Sequence, residues 1–191
     1  MHRLACQIAA YSVKRSWIDS DERAICCYSL ERRLLLIVFL LVQVLIYAAV
    51  GKIPEAFIYI TVVLLFRRRI GGIHANSAWL CQVISTALVL VSVFIIGPLV
   101  DKFPAKVICV CDTLLILSLF LIRPFYPVQV HFSQHDIEGN IRKKNILLIF
   151  LIMVQALTAN WLGMLFITYS SLGLLLVILT VLIGKLCEKK G

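Results

Sequence analysis

His74 and Cys81 place a general base and a nucleophile inside one short polar interval, residues 67–81, which reads RRRIGGIHANSAWLC between almost continuously apolar stretches. Cysteine and histidine together are the means of acyl transfer: the imidazole takes the thiol proton, and the thiolate attacks a carbonyl carbon. Seven residues apart on one straight helix, the two would share a face but stand about 10.5 Å apart along the axis. A base works at about 3 Å from the group it deprotonates. A continuous helix through both would therefore keep them from working together. Gly71 and Gly72 permit a break, since paired glycines allow a tight turn, and Asn76 and Ser77 are N-cap types ahead of the next apolar run. Cys81 would then lie near a helix start, where the dipole and a nearby imidazolium favour the thiolate. The plainer alternative is an interfacial histidine near a buried thiol.

The neighbouring polar residues carry paired readings. Ser85, four residues after Cys81, shares its helical face and either hydrogen-bonds near the site or satisfies the carbonyl one turn back. Asn76 orients His74 or simply caps the helix. Arg67, Arg68, Arg69, Lys143 and Lys144 either grip an acidic substrate or anchor the chain at the membrane face. Two ligands are too few for zinc, and His131 and His135 lie on another loop, so no metal or cofactor is called for here.

The elements that must position these residues are apolar. The 191 residues are 61% hydrophobic and 15% charged, with mean hydropathy +0.97. A soluble domain is nearer 45–50% apolar, roughly a quarter charged. The composition implies an all-α integral membrane bundle in which lipid is the solvent. Six apolar spans are expected, at about residues 34–50, 56–66 (extending back through Ile53), 78–100, 107–122, and two within 146–184 separated by a weak break at 160–163. Residues 1–33 read as an amphipathic interfacial segment, with Leu4, Ile8, Tyr11, Trp17 and Ile18 at roughly helical spacing. Residues 34–184 form the bundle and 185–191 a short basic tail. The seven cysteines, odd in number and without repeating spacing, argue against a disulfide framework and read mostly as small buried hydrophobes. Asp112, Gln43 and Gln155 lie inside apolar spans, where polar groups are costly and either functional or paired between helices.

Charge orients the bundle. With the N-terminus inside, the inner segments hold 16 of the 19 basic residues, leaving Lys52, Lys102 and Lys106 outside. The positive-inside rule places both termini and residues 67–81 on the cytoplasmic side. The net charge of +9 reports this topology and attraction to anionic lipid rather than nucleic-acid binding.

Arg67-Arg68, Gly71-Gly72, His74-Ala75, Ser77 and Cys81 make up RR-x-x-GG-x-HA-x-S-x-x-x-C, which resembles the signature of accessory gene regulator protein B (AgrB), membrane-embedded cysteine endopeptidases of bacterial quorum sensing. Tyr126-Pro127-Val128 is similar to a segment after the family's fourth span, although Phe125 precedes it and the lysine-rich stretch that usually follows is thinned. The resemblance implies a short propeptide partner, AgrD, with an amphipathic leader and an acidic tail. It also implies Cys81 as nucleophile, His74 as base, an acyl-enzyme, and closure of a thiolactone or lactone ring. A homodimer is compatible with so small a bundle. From outside enzymology, a peptide transporter or exporter fits the composition, and a scaffold for amphipathic peptides fits it less well. The chain carries no internal repeat and no P-loop.

Overall fold

The computed structural model describes residues 2–72, 78–125, 134–158 and 163–188. Regular structure among them is helical: α1 (His2–Lys14), α2 (Arg23–Val50), α3 (Ile53–Ile70), α4 (Ala78–Val91), α5 (Gly97–Val100), α6 (Ala105–Leu121), α7 (Gln134–Thr158) and α8 (Met164–Glu188). A short 3-10 turn, Ser20–Glu22, precedes α2, and a π turn, Ser92–Ile96, joins α4 to α5. The chain forms two compact units, Met1–Gly51 with His74–Leu88, and Lys52–Ile73 with Val89–Gly191.

In the first unit α1 packs on α2 through its small residues. Ala5 and Ala9 are fully buried in a cluster with Cys27. Leu4, Ile8 and Tyr11 instead remain exposed, because the close helix contact needs alanine and leaves the larger apolar side chains facing outward. Cys6 and Cys27 form a disulfide across this contact, which corrects the expectation of unpaired cysteines. Linear spacing could not reveal a pairing created by a helix hairpin. Burial also departs from expectation: among the described cysteines Cys27 is buried, Cys6, Cys26 and Cys81 are half-buried, and Cys109 and Cys111 are exposed. An exposed thiol on an apolar helix meets lipid rather than a core. The 28 residues of α2 extend about 42 Å at 1.5 Å each, longer than a hydrocarbon core of about 30 Å. Its charged first turns, which hydropathy assigned to the N-terminal segment, therefore belong to the same helix as the apolar span. Gly51 ends α2 in the left-handed conformation, its N–H donating to the Ala48 and Tyr47 carbonyls.

The second unit is built around α8. Val62, Phe66 and Ile70 of α3, Ile116 and Leu119 of α6, and Leu148 and Leu151 of α7 bury against Leu174, Val177, Ile178 and Val181 of α8. Pro54 stands in the first turn of α3, where its missing N–H costs no helical bond. Close approach is built in at Gly97, where an added Cβ would lie 2.5 Å from the Tyr169 hydroxyl. Residues 146–184 fall on two helices, α7 ending at Thr158 and α8 beginning at Met164.

Helices underlie all six apolar runs. Three of them, Ser20–Val50, Trp79–Val100 and Met164–Leu186, have the length and apolarity to cross a membrane. The others fall short for visible reasons: α3 carries Glu55 and three arginines, α6 has 17 residues, and the first half of α7 is polar. Large apolar residues such as Leu45, Phe57, Leu121 and Leu157 lie on the outside, each about 70% exposed or more. Such a surface suits lipid and would be a liability in water. The chain is a helical membrane protein.

Candidate functional site

Helix α3 stops at Ile70, and Gly71 and Gly72 after it are not helical. The stop has a local cause. Gly71 and Gly72 adopt φ of +78° and +131°, which side-chain-bearing residues rarely tolerate. Tertiary contacts hold them there. The Phe125 N–H donates to the Ile70 carbonyl at 2.8 Å, and the Gly72 N–H donates to the Phe125 carbonyl at 3.1 Å. An added Cβ on Gly72 would meet Thr180 Oγ1 at 3.2 Å, and one on Gly184 would meet the Phe125 ring at 2.7 Å. Both α8 residues thus close over the turn and the strap that pins it. Arg67, Arg68 and Arg69 occupy the last turn of α3, where cations complement the helix dipole. Arg68 is exposed; Arg67 and Arg69 are half-buried.

Cys81 lies in the first turn of α4, half-buried, with its sulfur outside any disulfide. Ser85, one turn later, is half-buried as well. Two contacts hold this helix on α2. Trp79 packs edge-on against Phe39 with ring centroids 5.1 Å apart, and Gln43 Nε2 donates to Thr86 Oγ1 at 3.0 Å. They bracket Cys81 in the sequence. Gln43, costly inside an apolar span, has its amide nitrogen satisfied by this pairing. His74, Asn76, Ser77 and the 126–128 segment lie outside the described residues.

The five cations expected to meet substrate do not share one role. Lys143 is exposed, but Lys144 is only 1% exposed. Its ammonium donates to the carbonyls of Leu119 at 2.7 Å, Phe120 at 3.3 Å and Ile122 at 2.9 Å. Those are the open acceptors at the end of α6, so Lys144 caps a helix instead of offering its charge to a ligand. Burial draws its pKa below the usual lysine value, and the three carbonyls oppose loss of the proton. By unit, Arg67–Arg69, Gly71, Gly72, Lys143 and Lys144 fall in one, Cys81 and Ser85 in the other.

Asp112 is buried where α6, α7 and α8 meet. Its Oδ1 accepts from Gln155 Nε2 at 3.2 Å and from Ser171 Oγ at 2.6 Å, and Gln155 also donates to Ser170 Oγ at 2.9 Å. Helix-to-helix pairing thus accounts for both polar residues. Phe125, Thr180, Gly184, Phe39 and Thr86 were not legible as supports of the site, since each acts through a partner distant in sequence.

Residues 5–183 match the family described as accessory gene regulator B. The chain belongs to the AgrB family. That assignment rests on nearly its whole length. AgrB proteins serve quorum sensing, in the processing and export of an autoinducer peptide derived from an AgrD-type propeptide. No curated protein and no solved structure matches the chain.

Proposed function

We propose that this AgrB protein is a membrane-embedded cysteine endopeptidase that removes the acidic C-terminal tail of an AgrD-like propeptide and promotes (thio)lactone closure. The observation that supports the reading is Cys81 itself, half-buried in the first turn of α4 with its sulfur outside any disulfide, in a chain whose α3 ends at the paired glycines that precede His74. In this mechanism His74 takes the Cys81 proton and the thiolate attacks the carbonyl before the tail. His74 then returns the proton to the departing amine, leaving a thioester. A thiol or hydroxyl within the peptide displaces Cys81, closing the ring and restoring the thiol. Transfer from thioester to thiol is nearly balanced in free energy, so exclusion of water favours ring closure over hydrolysis. Arg68 and Lys143, both exposed, are the cations best able to meet the acidic tail, with Arg67 and Arg69 beside them. Asn76, Ser77 and Ser85 support the dyad.

The test is reconstitution with an AgrD-like propeptide that has an amphipathic leader and an acidic tail. Cys81→Ala and His74→Ala should yield no cleaved tail while inserting and folding as the parent does; Cys81→Ser should retain at most a trace. Full cleavage by Cys81→Ala would sink the proposal. The family's part in peptide export favours a second reading, a non-catalytic transporter or exporter of an amphipathic peptide. Movement of intact peptide into liposomes without cleavage would select it.

A further inference from the structure

The cleft between α1 and the start of α2 gathers residues that the proposed reaction does not use. His2 and Cys6 are four apart on α1, and Cys27 and Glu31 are four apart on α2, so each pair projects from one face of its helix. The packing of Ala5 and Ala9 on α2 brings the two pairs together. Donor atoms of His2, Cys6 and Cys27 all lie within 4.8 Å of one another. His2 Nε2 stands 3.7 Å from Cys6 Sγ, and His2 Nδ1 stands 2.9 Å from Glu31 Oε2. The cleft has a volume of about 460 Å³, and Asp21, Arg23 and Tyr28 also line it.

We propose that, with Cys6 and Cys27 reduced, this cleft is a site for a thiophilic divalent cation of the zinc type. The ligands are Cys6 Sγ, Cys27 Sγ and His2 Nε2. Bonds of about 2.3 Å to sulfur and about 2.0 Å to nitrogen in a tetrahedron separate a sulfur from a nitrogen by about 3.6 Å. His2 Nε2 already stands near that distance from Cys6 Sγ. The same geometry sets the two sulfurs about 3.8 Å apart, so the Cys6–Cys27 bond and the metal are alternatives. The Cα–Cα distance of 4.8 Å leaves the helices close enough for either. Glu31 then acts outside the ligand set. By holding His2 Nδ1–H it fixes the tautomer that presents Nε2, the carboxylate–histidine–metal arrangement. His2 is 71% exposed, so the fourth position opens to water. Two thiolates with Asp21 and Glu31 outweigh Arg23 in charge, which favours a dication.

The chemistry balances with a thiol reductant. Two thiols or one dithiol supply two electrons and two protons to the Cys6–Cys27 bond and leave as a disulfide. The metal then displaces both thiol protons. The charge distribution favours a cytoplasmic placement for this segment, where such reductants abound.

The experiment uses the full chain in lipid nanodiscs, reduced with a phosphine, freed of it without oxygen, and titrated with Co²⁺. One equivalent per chain should produce thiolate-to-cobalt charge transfer and tetrahedral d–d absorption, both erased by added Zn²⁺. X-ray absorption of the zinc form should show a mixed sulfur and nitrogen shell, a readout that needs no variant. Cys6→Ser or Cys27→Ser should abolish the charge-transfer band at stoichiometric metal, whereas Cys26→Ser and Cys81→Ala should keep it. Glu31→Gln should weaken binding about 10- to 100-fold with the band intact. Three results overturn the proposal: no band from chains whose Cys6 and Cys27 thiols titrate as reduced, a band unchanged in Cys6→Ser, or a Cys6–Cys27 bond that cannot be reduced in the folded protein.

Discussion

Lys144 and Lys143 are adjacent in sequence and differ completely in environment, which separates recognition from architecture one side chain at a time. Lys144→Met keeps much of the buried stem and removes the ammonium from three carbonyls. It should lower stability by about 1–3 kcal/mol, the usual cost of leaving buried acceptors unmet, as read from thermal unfolding in detergent. Where folded protein survives, its KM for the propeptide should not change. Charge reversal at the exposed cations should do the opposite. Arg68→Glu and Lys143→Glu should each raise KM several-fold in low salt while melting behaviour stays put. Raising the salt should shrink the difference, because exposed charges are screened beyond about 8 Å at physiological ionic strength. Equal KM in both charge reversals and the parent would remove these two residues from substrate recognition.

Among the elements, the α3 terminus carries the sharpest structural requirement. Gly72→Ala places a side chain at φ +131°, against Thr180, and strain of this kind costs about 1–3 kcal/mol. Processing should fall by at least tenfold even where the bundle still folds, because the turn leads directly into residues 73–77 and His74. Gly139, with no atom within 4 Å of an added Cβ, is the matched control, and Gly139→Ala should process peptide normally. If Gly72→Ala were equally active, the pinned turn would not matter to catalysis. That α3 would end here was legible from the paired glycines, Gly71 and Gly72. What pins the turn was not: Phe125, Thr180 and Gly184 come from α8 and from the chain after α6, and no local pattern links them to Gly72. The same holds for α1, whose exposed Leu4, Ile8 and Tyr11 announced an amphipathic helix but not which face would pack.

For the whole molecule the charge distribution makes a prediction about sidedness. Membrane-impermeant maleimide added to intact cells should label Lys102→Cys, introduced into a chain whose native exposed thiols are replaced, and should not label Lys185→Cys until the membrane is opened. The reverse pattern would invert the topology and place residues 67–81 away from newly made peptide. Membrane character itself was plain from composition, because 61% apolar content exceeds what a chain of this size can bury. The number of spans was less legible. Hydropathy counts apolar runs, whereas crossing depends on helix length and on where the charges of α3 and α7 come to rest.

The sequence alone determined the solvent, the helical class, the family signature and the identity of the two residues proposed for chemistry. Those properties follow from local composition and spacing, which need no knowledge of what lies nearby in space. Only the tertiary structure decided that Lys144 caps α6, that Asp112 and Gln155 answer each other, that Phe125 pins the glycine turn, and that His2, Cys6, Cys27 and Glu31 meet in one cleft. Each of these joins residues at least 21 apart in sequence, and only the folding of distant segments onto one another brings such residues within bonding distance.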